Sequence, residues 1–405
     1  LYSYLLRTNY YFLLYMGFFI ILIFILSPLL TLPFILYYIR RRKIWAVWLL
    51  ASFLGIVAYC TIPSQDLFRH LLHYETYSNY NWKDFTYFDF ELNGIIVFIY
   101  CLMGKLGIPF DFLRFMTIST SYLMIYQVLK NKINQINYTN KEYFTRFLIF
   151  TLFYDLFYTI AGVRYGFALC IYIFGLYFYI EKGSYIKSIL LFIIAGLFHS
   201  SFLFLIPTAF IIYTLKVSKK SLIIIALIAF VAMTIFFANF SYLLGVRENW
   251  YGNGSSVTSY SSMTAYGFLG FFLPKLCVVP FVVLLLKKYD ETSKWMRFTM
   301  AWFIISIVTL QNAVFFYRFW WIVMALGIYV FIDVEKKNGK DNSMAKKFLR
   351  YATLFALFSL IPVKGFLENS NYERLFEPIP FIFSEQYTVK EILERIPNAG
   401  DFYTK

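Results

Sequence analysis

The sequence predicts an all-α polytopic integral membrane protein with about 11–13 hydrophobic helices. Apolar residues make up 60% of the 405 residues, aromatics 23%, and the mean hydropathy is +0.64, well beyond what a soluble core requires. Runs such as 11–39 and 221–240 can cross roughly 30 Å of hydrocarbon as helices. No strand-like alternation marks a membrane barrel, so the backbone polar groups must be satisfied within helices.

The order of the elements follows from charge. Most of the 37 basic residues lie in six short clusters: Arg40 to Lys43, Lys130 to Arg146, Lys182 to Lys187, Lys216 to Lys220, Lys287 to Arg297 and Lys336 to Arg350. Lys and Arg are retained on the cytoplasmic side, so each stretch between clusters must cross the membrane an even number of times. Spans are expected near 11–39, 44–63, 111–130, 146–161, 164–180, 221–240, 266–287, 298–312, 314–333 and 349–363. The segment 93–108 must then re-enter from the outer side without crossing. The segment 186–213, basic at both ends and too short for two full spans, must be a tight hairpin with His199 at its tip. The expected organisation is one transmembrane helical domain, 1–363, with outer loops at 64–92 and 241–265 and an outward-facing tail, 364–405.

The charge of +15 sits in short loops, so no nucleic-acid partner is expected; membrane lipid is an expected partner of so apolar a chain. The first apolar run is too long for a signal-peptide core and lacks a small-residue cleavage site. Cys60, Cys101, Cys170 and Cys277 stand singly in apolar segments, a spacing that suits packing and not a metal. No cofactor is expected.

Charge in or near hydrocarbon is costly and is usually kept for function. Outside the basic loops the ionisable residues gather at the outer face: Asp66, Arg69 and His70 after the second span, Arg114, Arg164, His199, Arg247 and Arg318. Each has a plainer reading. Asp66 and Arg69 are spaced to pair on one helix, His199 to bond a carbonyl, Arg247 to pair with Glu248 in a solvated loop, and Arg164 and Arg318 to snorkel to water. Asp155 is placed to neutralise an arginine or bind a proton. Several spans presenting Arg or His at one face are explained more simply by a shared anion site. Guanidinium groups bind phosphate oxygens in pairs, which suits a pyrophosphate at the bilayer surface. Tyr74, Trp82, Trp250 and Tyr260 in the outer loops can stack on sugar rings or serve in interfacial belts.

Three motifs carry a family resemblance: Asp66-Leu-Phe-Arg69-His70, Gly162-Val-Arg164-Tyr-Gly-Phe-Ala, and Leu-Phe-His199-Ser-Ser-Phe-Leu. In order and spacing, over about residues 44–330, the chain resembles the EpsG-type polysaccharide polymerases, within the wider set of Wzy O-antigen and capsule polymerases. Tyr165 stands where that family usually has Gln, so no role is expected of that position. The resemblance implies a fold of the membrane glycosyltransferase C type in a multi-pass bacterial inner-membrane enzyme. The implied reaction joins oligosaccharide repeat units carried on undecaprenyl pyrophosphate at the periplasmic face, and a chain-length regulator protein is a further implied partner. Arg164 and Arg318, backed by Arg69, Arg114 and Arg247, would hold the pyrophosphate; His199, His70 and Asp66 compete as the base. An O-antigen ligase shares donor and fold, whereas a lipid-linked oligosaccharide flippase would show repeated halves and cations through the membrane depth.

Overall fold

A computed structural model describes residues 17–63, 66–86, 95–154, 156–215, 290–309, 313–339 and 370–396. It also describes isolated residues between 218 and 232, at 283, 286 and 287, and between 347 and 354. Among the described residues the architecture is wholly helical. In chain order the elements are α1 (Gly17–Leu26), α2 (Pro28–Arg40), α3 (Ile44–Cys60), α4 (Asp66–Tyr77), α5 (Ile96–Lys105), α6 (Phe110–Ile133), α7 (Asn140–Phe153), α8 (Leu156–Ala161), α9 (Val163–Ile180), α10 (Tyr185–Phe198), α11 (Ser201–Thr214), α12 (Lys294–Val308) and α13 (Ala313–Asn338). A short tail follows, built from a 3-10 turn (Tyr372–Phe376), α14 (Ile379–Ile382) and α15 (Val389–Arg395).

Only α9 among the described helices is both long and apolar enough to cross a membrane by length and composition. The apolar runs of the sequence are divided into shorter helices, and the reasons are local. The expected span 11–39 breaks at Ser27, which is extended with φ −162°, because Pro28 has no N–H to continue the preceding helix and instead starts a new one. α5 ends in a left-handed Gly107 (φ +66°), with Ile108 N–H donating to Met103 O at 2.9 Å and Gly107 N–H to Gly104 O at 3.1 Å, a complete Schellman stop. At ten residues α5 is about 15 Å long, half of a hydrocarbon core. α10 and α11 pack as a hairpin, and His199 forms the C-cap of α10. α7 begins at a capping box, in which Thr139 N–H donates to Glu142 and Glu142 N–H to the Thr139 hydroxyl. The expected spans 221–240, 266–287 and 349–363 lie largely outside the described residues.

Around the buried α9, α3 packs on α6, α6 and α10 on α9, and α12 on α13. α3 and α6 meet at Gly55, where a Cβ would lie 2.0 Å from Ser119 Oγ and 2.8 Å from Phe115 O. Small residues allow such close backbone approach between apolar helices.

The two ends of the bundle differ in chemistry. At one end, residues from separate basic loops meet. Arg146 Nε donates to Glu335 Oε2 at 2.9 Å, and the Tyr138 hydroxyl donates to the same carboxylate. Lys132 donates to Glu181 Oε1 at 2.9 Å and also pairs with Asp333. Trp295 Nε1 reaches Glu181 Oε1 at 2.7 Å, and Lys337 reaches Asp290 at 2.7 Å. Loops that the charge pattern assigns to one side thus share one end of the fold.

At the other end the tail closes on the C-terminus of α3. Helix-end carbonyls in apolar surroundings need partners, and here they find several. Arg114 donates to Tyr59 O at 3.1 Å and to Thr61 O, and it pairs with Asp111. Cys60 O accepts from Tyr387 Oη at 2.7 Å and from Asn371 N–H at 3.2 Å. Tyr387 N–H donates to Asp111 Oδ2 at 3.0 Å, and Ile62 N–H to Ser370 Oγ at 2.8 Å. Arg114→Ala, which leaves Asp111 buried without its cation, should cost ~3–5 kcal/mol. We expect a lower midpoint of thermal unfolding in lipid nanodiscs together with earlier protease cleavage beyond Ser370.

Candidate active site

The loop expected after the second span opens as a helix. α4 carries Asp66 in its first turn, where the positive helix end favours a carboxylate. Asp66, His70 and His73 follow at i, i+4 and i+7, so they share one face. Arg69 pairs with Asp66. His70 is fully buried, with its Nε2 3.8 Å from Asp66 Oδ2 and its Nδ1 3.1 Å from Tyr100 Oη on α5. The approach of α5 to α4 depends on Gly104, where a Cβ would lie 2.4 Å from Ser78 O.

α9 brings Arg164 to this group from a different direction: its guanidinium interacts electrostatically with Asp66, Tyr100, Arg69 and Arg318. Arg318, in the second turn of α13, acts on both Asp66 and His199. Its guanidinium lies 5.7 Å from the centre of the Tyr165 ring. Its carbonyl accepts the Tyr165 hydroxyl at 2.7 Å. The same tyrosine meets His199 edge to face at 5.2 Å, and His199 Nδ1 is 2.7 Å from Ser201 Oγ. All three histidines of the chain thus face one cluster of three arginines.

Burial and the arginine charges decide protonation here. Burial, followed by the charge of Arg164, pushes the His70 imidazole down to about 3. Burial with Arg69 and Arg164 lowers His73, and burial with Arg318 and Arg164 drives His199 well below its ordinary range. Burial alone would raise Asp66, but His70, Arg69, Arg318 and Arg164 together hold it at about 2. At neutral pH the described residues of the cluster therefore comprise three guanidinium ions, one carboxylate and neutral imidazoles, a net charge near +2. The field of such a cluster is attractive to anions.

The structure brings together Asp66, Arg69, His70, Arg164, His199 and Arg318 and separates the other residues singled out above. Arg114 is not in the cluster: it is fully buried and committed to Asp111 and the carbonyls of Tyr59 and Thr61. Tyr74 is half-buried, donates its hydroxyl to Ile108 O at 2.7 Å and packs edge-on against Tyr100. Trp82 remains 47% exposed, with the Lys105 ammonium 4.2 Å from its ring centre and Phe98 at 4.6 Å. Asp155, Arg247, Trp250 and Tyr260 lie outside the described residues. Tyr100 joins the site without having been singled out, and Tyr165 joins it although no role was expected there; both stand in aromatic-rich stretches, where nothing in the sequence distinguishes a polar contact from packing.

The described helices are largely apolar and carry a cationic cluster at one end of the bundle, which fits a membrane protein. The EpsG family profile matches residues 64–373, and the chain belongs to the EpsG family, a group of polysaccharide polymerase-type membrane proteins. The match spans Asp66, Arg164, His199 and Arg318 and leaves α14 and α15 beyond it. No curated protein and no solved structure matches the chain.

The histidine depression has a measurable consequence. Between about pH 3 and 6.5 the unfolded chain binds a proton at His70 that the folded chain refuses, so stability is complete above pH 6.5 and falls as pH drops toward 3. One such proton corresponds to about 1.4 kcal/mol per pH unit. His70→Gln should therefore show a shallower decline of thermal stability between pH 6.5 and 4; an unchanged slope would mean that His70 is protonated in the folded protein.

Proposed function

We propose that the protein is a polysaccharide polymerase that joins oligosaccharide repeat units carried on undecaprenyl pyrophosphate, working as a multi-pass inner-membrane enzyme with its site on the periplasmic face. The observation that carries this reading is the convergence of Arg69, Arg164 and Arg318, from three separate helices, beside Asp66 and His199. A diester pyrophosphate carries two negative charges, equal to the surplus of the cluster. The helical bundle is read as a fold of the glycosyltransferase C type, and the ten-residue α5 as the segment that re-enters from the outer side.

In the proposed step a hydroxyl of the incoming repeat unit attacks the anomeric carbon of the growing chain. The new C–O bond forms as the bond from that carbon to the pyrophosphate oxygen breaks. The leaving group takes the electron pair and departs as undecaprenyl pyrophosphate with one more negative charge, while the hydroxyl proton passes to a base of the site. Such a leaving group needs no general acid. It needs cations already in place where charge develops, and their effect is large because they do not reorganise during reaction. Arg164 and Arg318 have that role. A neutral His199, with Nδ1 held by Ser201, and Asp66 are the available proton acceptors.

Purified protein in detergent, given synthetic undecaprenyl-pyrophosphate repeat units, should produce a ladder of glycans. Arg164→Ala and Arg318→Ala should each lower the rate about 10²–10³-fold, and Arg164→Lys should recover little, since an ammonium ion lacks the planar fork. Folded variants that polymerise at the wild-type rate would remove the arginines from the mechanism, and a wild-type protein inert toward its cognate substrate would refute the polymerase.

A further inference from the structure

We propose that Asp66 is the proton acceptor of this site and that Tyr100, acting through His70, is the residue that positions it; the inference rests on the polymerase reading above. Three candidate bases face the arginines, and they differ in access. His70 has no exposed side-chain surface, whereas Asp66 keeps 21% of its own. A substrate hydroxyl can therefore reach the carboxylate and not the His70 imidazole. His199, part-exposed with Nδ1 against Ser201 Oγ, is the competing acceptor, and the Asp66→Asn kinetics below decide between the two.

The charges around His70 settle its tautomer. The ring is neutral, so one nitrogen carries a proton and the other accepts. Nδ1 lies 3.1 Å from Tyr100 Oη. Nε2 is buried without a hydrogen bond and faces Asp66 Oδ2 at 3.8 Å. A lone pair on Nε2 would oppose the carboxylate, and an N–H there is attracted to it. The proton therefore sits on Nε2, and the Tyr100 hydroxyl donates to Nδ1. Fully buried Tyr100 thus fixes the ring, and the ring presents a donor to Oδ2 while Arg69 holds Oδ1. The carboxylate is held from both sides without being sealed.

Arg164, Arg318 and Arg69 keep Asp66 ionised but weakly basic in the empty site. Two of those charges are the ones a bound pyrophosphate neutralises. Binding of the donor therefore relieves the field on Asp66 and raises its basicity when the hydroxyl arrives, and burial, the largest influence on this carboxyl, acts in the same direction. In the reaction the hydroxyl proton goes to Asp66 Oδ2, the glycosidic C–O bond forms, and undecaprenyl pyrophosphate leaves with the bonding pair.

The test combines kinetics with histidine 15N NMR on full-length protein in nanodiscs, with His70 assigned by its loss in His70→Gln. The wild-type spectrum should show Nε2 protonated and Nδ1 as a hydrogen-bonded acceptor, and Tyr100→Phe should weaken that preference. Tyr100→Phe should lower kcat about 10- to 100-fold with the donor KM and the unfolding midpoint little changed, and should shift the acid limb of the kcat profile. Asp66→Asn should lower kcat about 10²–10⁴-fold, and His70→Gln, which retains an N–H donor, should keep more activity than His70→Leu. A proton on Nδ1 in the wild type overturns the proposal, as does wild-type kcat in Asp66→Asn. A wild type that forms no glycan defeats the polymerase reading, while the spectrum still decides the order of donors in Tyr100, His70 and Asp66.

Discussion

The constraint on which the rest depends is that a helix ending inside an apolar bundle leaves carbonyls with no water to bond. The C-terminus of α3 is where this constraint acts most heavily. Tyr59 O and Thr61 O accept from Arg114, and Cys60 O accepts from Tyr387 and Asn371. Arg114 can be buried because Asp111, one turn earlier on α6, pairs with it, and the second oxygen of Asp111 accepts Tyr387 N–H. One short polar network thus joins α3, α6 and the tail. Only a few residues separate it from Asp66 in the chain.

From that anchor the electrostatics of the site follow. α4, α9 and α13 each deliver one arginine to a space that, among the described residues, holds a single acid. Three guanidinium ions so close together would repel strongly in an apolar setting, and Asp66 offsets only one of them. The histidines cannot add charge, because burial and the arginines keep them neutral. The surplus positive charge is a standing cost to the folded protein. On the reading proposed above, a bound dianion would cancel it and couple substrate affinity to the relief of that repulsion.

How much of this could be read from the sequence depends on which physical rule governs each residue. The helical class and the common end of the basic loops were legible, because hydropathy and charge placement act through composition and periodicity. So was the hairpin around His199, whose length left little choice. The breaks inside apolar runs were less legible. Pro28 was a visible signal, but Gly107 stops α5 through a left-handed turn that apolar periodicity does not reveal. Arg114 misled for a clear reason: an arginine at a helix start near the outer face looks the same whether it binds an anion or caps another helix's carbonyls. Only the tertiary position of Tyr59 and Thr61 distinguishes the two.

Tyr165 shows the same limit from the opposite side. As a departure from the usual glutamine of the family it promised little, yet its hydroxyl bonds Arg318 O and its ring meets both His199 and the Arg318 guanidinium. It joins α9 and α13 to the hairpin at the candidate site. A glutamine at that position could make the hydrogen bond but has no ring for the cation and the imidazole to pack against. The tyrosine therefore does by stacking what a smaller amide cannot, and it holds the two arginine-bearing helices against the histidine loop. The tail adds a second feature beyond the family match, since α14 and α15 follow residue 373 and yet Tyr387 reaches Cys60 O and Asp111. Tyr165 and a tail that runs past the matched span thus help to hold the helices that carry the arginines and Asp66.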